Sequence, residues 1–90
     1  MKPIRWSPHA LQNLADREIP RHEAEEALLN PELILTAAPP RQIFMRRYFD
    51  PRFSQEMLVR AVVEETAEER LVITVYITSK ISKYMKGAAP

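Results

Sequence analysis

At 90 residues, 46% hydrophobic and 28% charged, the chain has the make-up of one small globular domain, ordered from about residue 3 to 86, without room for a second core. It has no cysteine, which excludes disulfide staples and thiolate metal or redox sites and fits a reducing compartment. A formal net charge of +1 excludes a global basic field, and a single glycine excludes glycine-rich phosphate loops.

Ile4-Arg5-Trp6 reads as a short first strand. Ser7 then caps a helix and Pro8 fits its first position, so residues 8–18 are expected to be helical, with Leu11, Leu14, Ala15 and Ile19 as the buried stripe. Pro20 breaks that helix and starts another. Its stripe is Ala24, Ala27 and Leu28, its wet face is Glu23, Glu25 and Glu26, and Asn30-Pro31 ends it. Residues 33–36 read as a strand and 37–40 as a turn. Residues 41–49 alternate, with Ile43, Met45, Arg47 and Phe49 on one face and Gln42, Phe44, Arg46 and Tyr48 on the other. A loop from Asp50 to about Gln55 leads to a strand from Met57 to Glu64. After a polar turn, Leu71 to Thr78 is apolar on both sides apart from Thr74 and is expected at the centre of the sheet. Ser79 is expected to cap a last helix over residues 80–86, with Gly87 as its stop and residues 88–90 as a tail. The fold class is α+β: two N-terminal helices packed on an antiparallel β-meander, in the order β-α-α-β-β-β-β-α.

Charge is segregated along this order. Residues 41–60 carry five arginines against Asp50 and Glu56, and residues 80–86 carry Lys80, Lys83 and Lys86 without an acid. Met1 to Trp6 lacks the apolar centre of a secretory signal, and no apolar run approaches the roughly 18 residues of a membrane span, so a cytoplasmic protein is expected.

Three stretches carry a resemblance: Ser7-Pro8-His9-Ala10, Asp16-Arg17-Glu18-Ile19, and Glu25 to Glu32. With Tyr48-Phe49-Asp50-Pro51, Val59 to Val63 and Val72 to Lys80, the chain resembles a bacterial domain of unknown function, number 4258, over residues 7–80. That family often has a basic residue where Asn13 stands, and Gly-Ile-Ser where this chain has Glu18-Ile19-Pro20. The element order also resembles the RelE/ParE/BrnT group of bacterial toxins. Many of those cleave mRNA, often on the ribosome, and the ParE branch acts on gyrase. The resemblance implies a toxin-like endoribonuclease of a type II toxin–antitoxin module, a cognate antitoxin or other small acidic protein as partner, and RNA or the ribosome as target. The alternative is a non-catalytic module of the same fold that binds a partner protein or forms a homodimer through an exposed strand edge.

Cleavage of RNA by its own 2′-OH needs proton transfer and charge stabilisation on the phosphorane, but no metal or other cofactor. The catalytic candidates are His9, Arg46, Arg60 and Tyr84. His9 matches the recurrent histidine of the family, and Tyr84 resembles by role the C-terminal tyrosine of some RelE-type nucleases. Arg46 and Arg47 point to opposite faces, so only one can join Arg60, and Arg46 is favoured because Phe44 and Tyr48 beside it offer a stacking surface. Arg17, Arg41, Phe44, Tyr48, Lys80 and Lys83 are the RNA-binding candidates. Each has a plainer reading: a solvated sheet face paired with glutamates, a cationic helix end with Tyr84 on the sheet, a histidine bonded to the backbone. His22 reads as an exposed helix residue, and two histidines without close spacing make a poor metal set.

Overall fold

The computed structural model describes residues 2–85. Its elements are β1 (Ile4–Trp6), α1 (Pro8–Asp16), α2 (Arg21–Leu29), β2 (Leu33–Thr36), β3 (Arg41–Asp50), β4 (Gln55–Glu65), β5 (Arg70–Thr78) and α3 (Ile81–Tyr84). The class and the order are those expected. The five strands form one sheet in the order β1-β5-β4-β3-β2. β2 to β5 are the antiparallel meander, and β1 adds to β5 in parallel. β4, rather than β5, is therefore the central strand. Among the described residues no helix is long and apolar enough to cross a membrane. The last helix is shorter than the expected residues 80–86: it runs from Ile81 to Tyr84, with Lys80 rather than Ser79 at its N-cap position and Met85 already beyond its end. Lys86, Gly87 and the expected tail lie outside the described residues.

Both helices pack on one face of the sheet. Ala10, Ala24, Ala27 and Leu28 meet Phe44, Val59, Ala61, Val63, Val72 and Val75 in the main core. The small residues of α2 let its backbone approach the sheet closely, while the three glutamates stay at its flank.

α1 begins as expected, with the Ser7 hydroxyl accepting from the Ala10 amide at 3.0 Å. Its buried face matches the expected stripe in part: Ile19 is buried and Leu14 packs against the core. Leu11 is 43% exposed and Ala15 is exposed, whereas Ala10 and Asn13 are buried. The reason is the outer edge of β5. β1 pairs only with residues 70–72 of that strand, so the edge beyond would stand open. Three polar side chains at the start, middle and end of α1 close it. Ser7 Oγ donates to Ile73 O at 3.0 Å. Asn13 Oδ1 accepts from Thr74 Oγ1 at 2.6 Å and from the Val75 amide at 3.1 Å. Arg17 donates to Val75 O at 2.7 Å. Buried backbone groups require partners, and α1 turns to provide them.

α1 stops at Asp16, before the expected residue 18. Ile19 N–H bonds Leu14 O and Glu18 N–H bonds Ala15 O, the paired bonds of a Schellman stop. The stop holds Glu18 at φ 52°, a left-handed conformation that glycine takes without steric cost. Glycine is what the resembling family often has there. Glu18→Gly is therefore expected to stabilise the fold by about 0.5–1 kcal/mol and raise Tm by roughly 3–6 °C in calorimetry, net of the exposed Glu18–Arg52 pair.

Candidate nucleic-acid interface

The face of the sheet opposite α1 and α2 is decided by register. β3 and β4 pair Met45 with Arg60 and Arg46 with Val59, and β4 and β5 pair Arg60 with Tyr76. Directly opposed residues share a face. Arg60 therefore stands with Met45 and Tyr76 on the face away from the helices, and Arg46 stands with Val59 on the other. The expected partnership of Arg46 and Arg60 is corrected: the strand period separates them. Arg46 instead donates to Asn30 O at 2.8 Å, where a cation suits the C-terminus of α2. Arg47 is the arginine on Arg60's face, and Glu32 holds it through Nη2 at 3.0 Å.

The stacking surface is corrected for the same reason. Phe44 and Tyr48 face the helices and belong to the main core, so their rings pack against α1 and α2 and not toward the open face. Tyr48 donates its hydroxyl proton to Asp50 at 2.7 Å. Burial, reinforced by the Asp50 carboxylate, pushes its ionisation above the ordinary phenol range. Asp50 is itself buried and also accepts from Arg52 Nη2 at 3.1 Å and from the Arg52 amide at 2.9 Å. This cluster pins the tight hairpin between β3 and β4. Arg52, then Tyr48, hold the Asp50 carboxyl down to about 2, below its ordinary 3.8. Its contribution to stability is therefore intact above about pH 4 and fades as the pH falls toward 2. Urea titrations of the wild type are expected to show that loss. Asp50→Asn should be less stable at neutral pH and flatter across this window.

Arg60 is the unusual residue on the open face. It is buried, at 8% exposure, yet forms no ion pair among the described residues. Its guanidinium donates from Nε to Met45 Sδ at 3.3 Å and from Nη1 to the Tyr76 hydroxyl oxygen. The Tyr84 ring lies over it with its centroid at 3.9 Å, and the Tyr76 ring centroid is at 5.2 Å. Two aromatic faces thus take the place of a carboxylate, an arrangement worth up to about 2 kcal/mol where water is excluded. It leaves the positive charge without a carboxylate partner among the described residues. Lys83 adds a second cation, its Nζ 5.2 Å from the Tyr84 ring centroid. Lys80 is exposed at the start of α3.

Of the candidate site residues, Arg60, Tyr84 and Lys83 thus come together where α3 meets the open sheet face, with Lys80 exposed at the N-cap of α3. His9 does not join them. It is exposed in the first turn of α1, on the helix-bearing side of the sheet. Arg17 is spent on the β5 edge, and Arg41 lies four residues along β3 from Met45, opposite Glu64. Tyr76 was not among the candidates. Only the pairing of β4 with β5, which slips at Val62/Val63, places it against Arg60. Among the described residues no three His, Asp or Glu side chains group closely enough to hold a metal ion.

Residues 6–77 match the model of a domain of unknown function, DUF4258. The chain belongs to this family. No curated protein and no solved structure matches it. The DUF4258 match runs from the end of β1 almost to the end of β5. It takes in Arg60 and Tyr76 and stops short of Lys80, Lys83 and Tyr84, so the DUF4258 core supplies the guanidinium and α3 supplies its cover.

Proposed function

We propose that this DUF4258 chain is a toxin-like, metal-independent endoribonuclease of a type II toxin–antitoxin module, acting in the cytoplasm. The observation that carries the reading is Arg60, a buried cation with aromatic partners and no ion pair among the described residues, with Lys83 beside the Tyr84 ring that lies over it. Phosphate is the anion that such a group fits, and the Tyr84 ring beside it suits a nucleobase. The small size and the element order, which resembles the RelE/ParE/BrnT toxins, support the same reading by analogy.

On this reading the 2′-OH of RNA attacks the adjacent phosphorus, and Arg60 stabilises the charge that builds on the phosphorane oxygens. The Tyr76 oxygen accepts from Arg60, which leaves its own O–H free to protonate the departing 5′ oxygen. No histidine stands at this cluster, so the proton of the attacking hydroxyl passes to water. Rate enhancement then rests on positioning and charge stabilisation. Lys80 and Lys83 hold the backbone of the RNA, and the cognate antitoxin covers this cationic face.

The test is tightly controlled expression in a bacterial host, with total RNA mapped for new 5′ ends. Growth arrest with fresh cleavage sites is the expected result. Normal growth and intact RNA from soluble, folded protein would leave the non-catalytic binding module as the better reading.

A further inference from the structure

The two edges of the sheet are treated differently. On the β5 side, β1 and the side chains of Ser7, Asn13 and Arg17 occupy the free backbone groups. On the β2 side, nothing among the described residues pairs with the edge. Ala37 N–H bonds Arg41 O at 3.0 Å, and the same register opposes Leu35 to Ile43. In such a ladder the intervening residues Ile34 and Thr36 turn their N–H and C=O groups outward. β2 carries no charge and no proline, the usual means of blunting an edge. Its Ile34 and Leu35 side chains, on opposite faces, are 43% and 38% exposed.

A cleft of about 250 Å³ opens at the end of this strand, lined by Thr36, Pro39, Pro40, Arg41, Gln42 and Glu65. Both carboxylate oxygens of Glu65 are engaged, by Lys2 at 3.0 Å and by Arg70 at 3.1 Å. Arg41 is exposed and has no ion pair among the described residues. Glu64 stands opposite Arg41 on β4 without forming an ion pair with it, and among the residues that line the cleft the unpaired charge is positive.

We infer that the β2 edge docks an extended segment of a partner protein as an additional strand, and that Arg41 holds an acidic side chain of that segment in the cleft. The outward backbone groups select an extended chain, and the cleft gives side-chain specificity. Ile34 and Leu35 grip it from both faces of the sheet. Arg41 selects a carboxylate through a charge-assisted hydrogen bond. A second copy of this chain is a poorer occupant. Its β2 is uncharged, and the Glu32 that precedes it is held by Arg47 at 3.0 Å. The inference does not depend on the ribonuclease reading, since β2 and Arg60 use different groups.

The experiment is an NMR titration of the isotope-labelled full chain with a short synthetic peptide that alternates valine and threonine and carries one glutamate near its end. Amide shifts are expected at Leu33 to Thr36 and at Arg41. The same peptide with glutamine for glutamate should bind about tenfold more weakly. Ile34→Pro should abolish binding, because it removes an outward donor and keeps the ladder to β3. Circular dichroism checks that this variant is folded. If it is not, Arg41→Ala decides instead, and should bring the two peptides to equal affinity. Absence of binding, equal affinity for both peptides on the wild type, shifts confined to the Arg60 face, or dimerisation through β2 without peptide would each overturn the inference.

Discussion

Arg60→Met is expected to lower RNA cleavage by about 10²–10³-fold while the protein stays folded, the usual cost of removing a donor that stabilises transition-state charge. Methionine keeps much of the apolar stem that packs on the sheet and removes the guanidinium alone. Arg60→Lys keeps the charge but loses the flat group that Tyr84 and Tyr76 cover, so an intermediate rate is expected. Arg46→Met is the contrast. Its guanidinium caps α2 on the other face, so cleavage should be unchanged and only a small loss of stability should follow. The measurement is single-turnover cleavage of a mapped RNA by purified variants, with circular dichroism alongside. Equal rates for wild type and Arg60→Met would make Arg60 a structural cation held by its tyrosines.

The element boundaries were legible because prolines and capping residues punctuate the chain. Pro8, Pro20 and Pro31 bracket the two helices, and alternation marks β3. Faces were harder. The period of β3 separates Arg46 from Arg47, but which of them meets Arg60 depends on the register with β4. A shift by one residue exchanges the two faces. Choosing Arg46 brought Phe44 and Tyr48 with it, and both are core residues. An alternating strand with an aromatic on each side gives no local sign of which aromatic is buried. Tyr76 was illegible for a related reason. Leu71 to Thr78 is apolar on both faces, so its pattern does not say which side chains look away from the helices, and the slip at Val62/Val63 alters the count. Lys83 and Tyr84 were easier because they are neighbours within the four-residue α3, with Lys80 just before it, so their proximity along the chain needs no long-range information.

Asn13 is the clearest case in which a polar residue at a core position carries the fold, and its removal should have the largest effect on stability. It is 5% exposed, and its Oδ1 satisfies both the Thr74 hydroxyl and the Val75 amide. Asn13→Ala leaves two donors at the sheet edge without a partner in a place that water barely reaches. A loss of about 2–3 kcal/mol is expected. For a domain of this size that lowers Tm by roughly 8–20 °C. Asn13→Asp keeps the accepting oxygen and should recover part of the loss, whereas Asn13→Leu, which is closer in size but has no acceptor, should not. A purely hydrophobic account of α1 packing reverses that order, so differential scanning calorimetry of the three variants separates the two. The wild-type Tm in Asn13→Ala would mean that Ser7 and Arg17 close the β5 edge without it. A fall in Tm with concentration-dependent association would show what α1 prevents, since the uncovered edge could then pair with another strand.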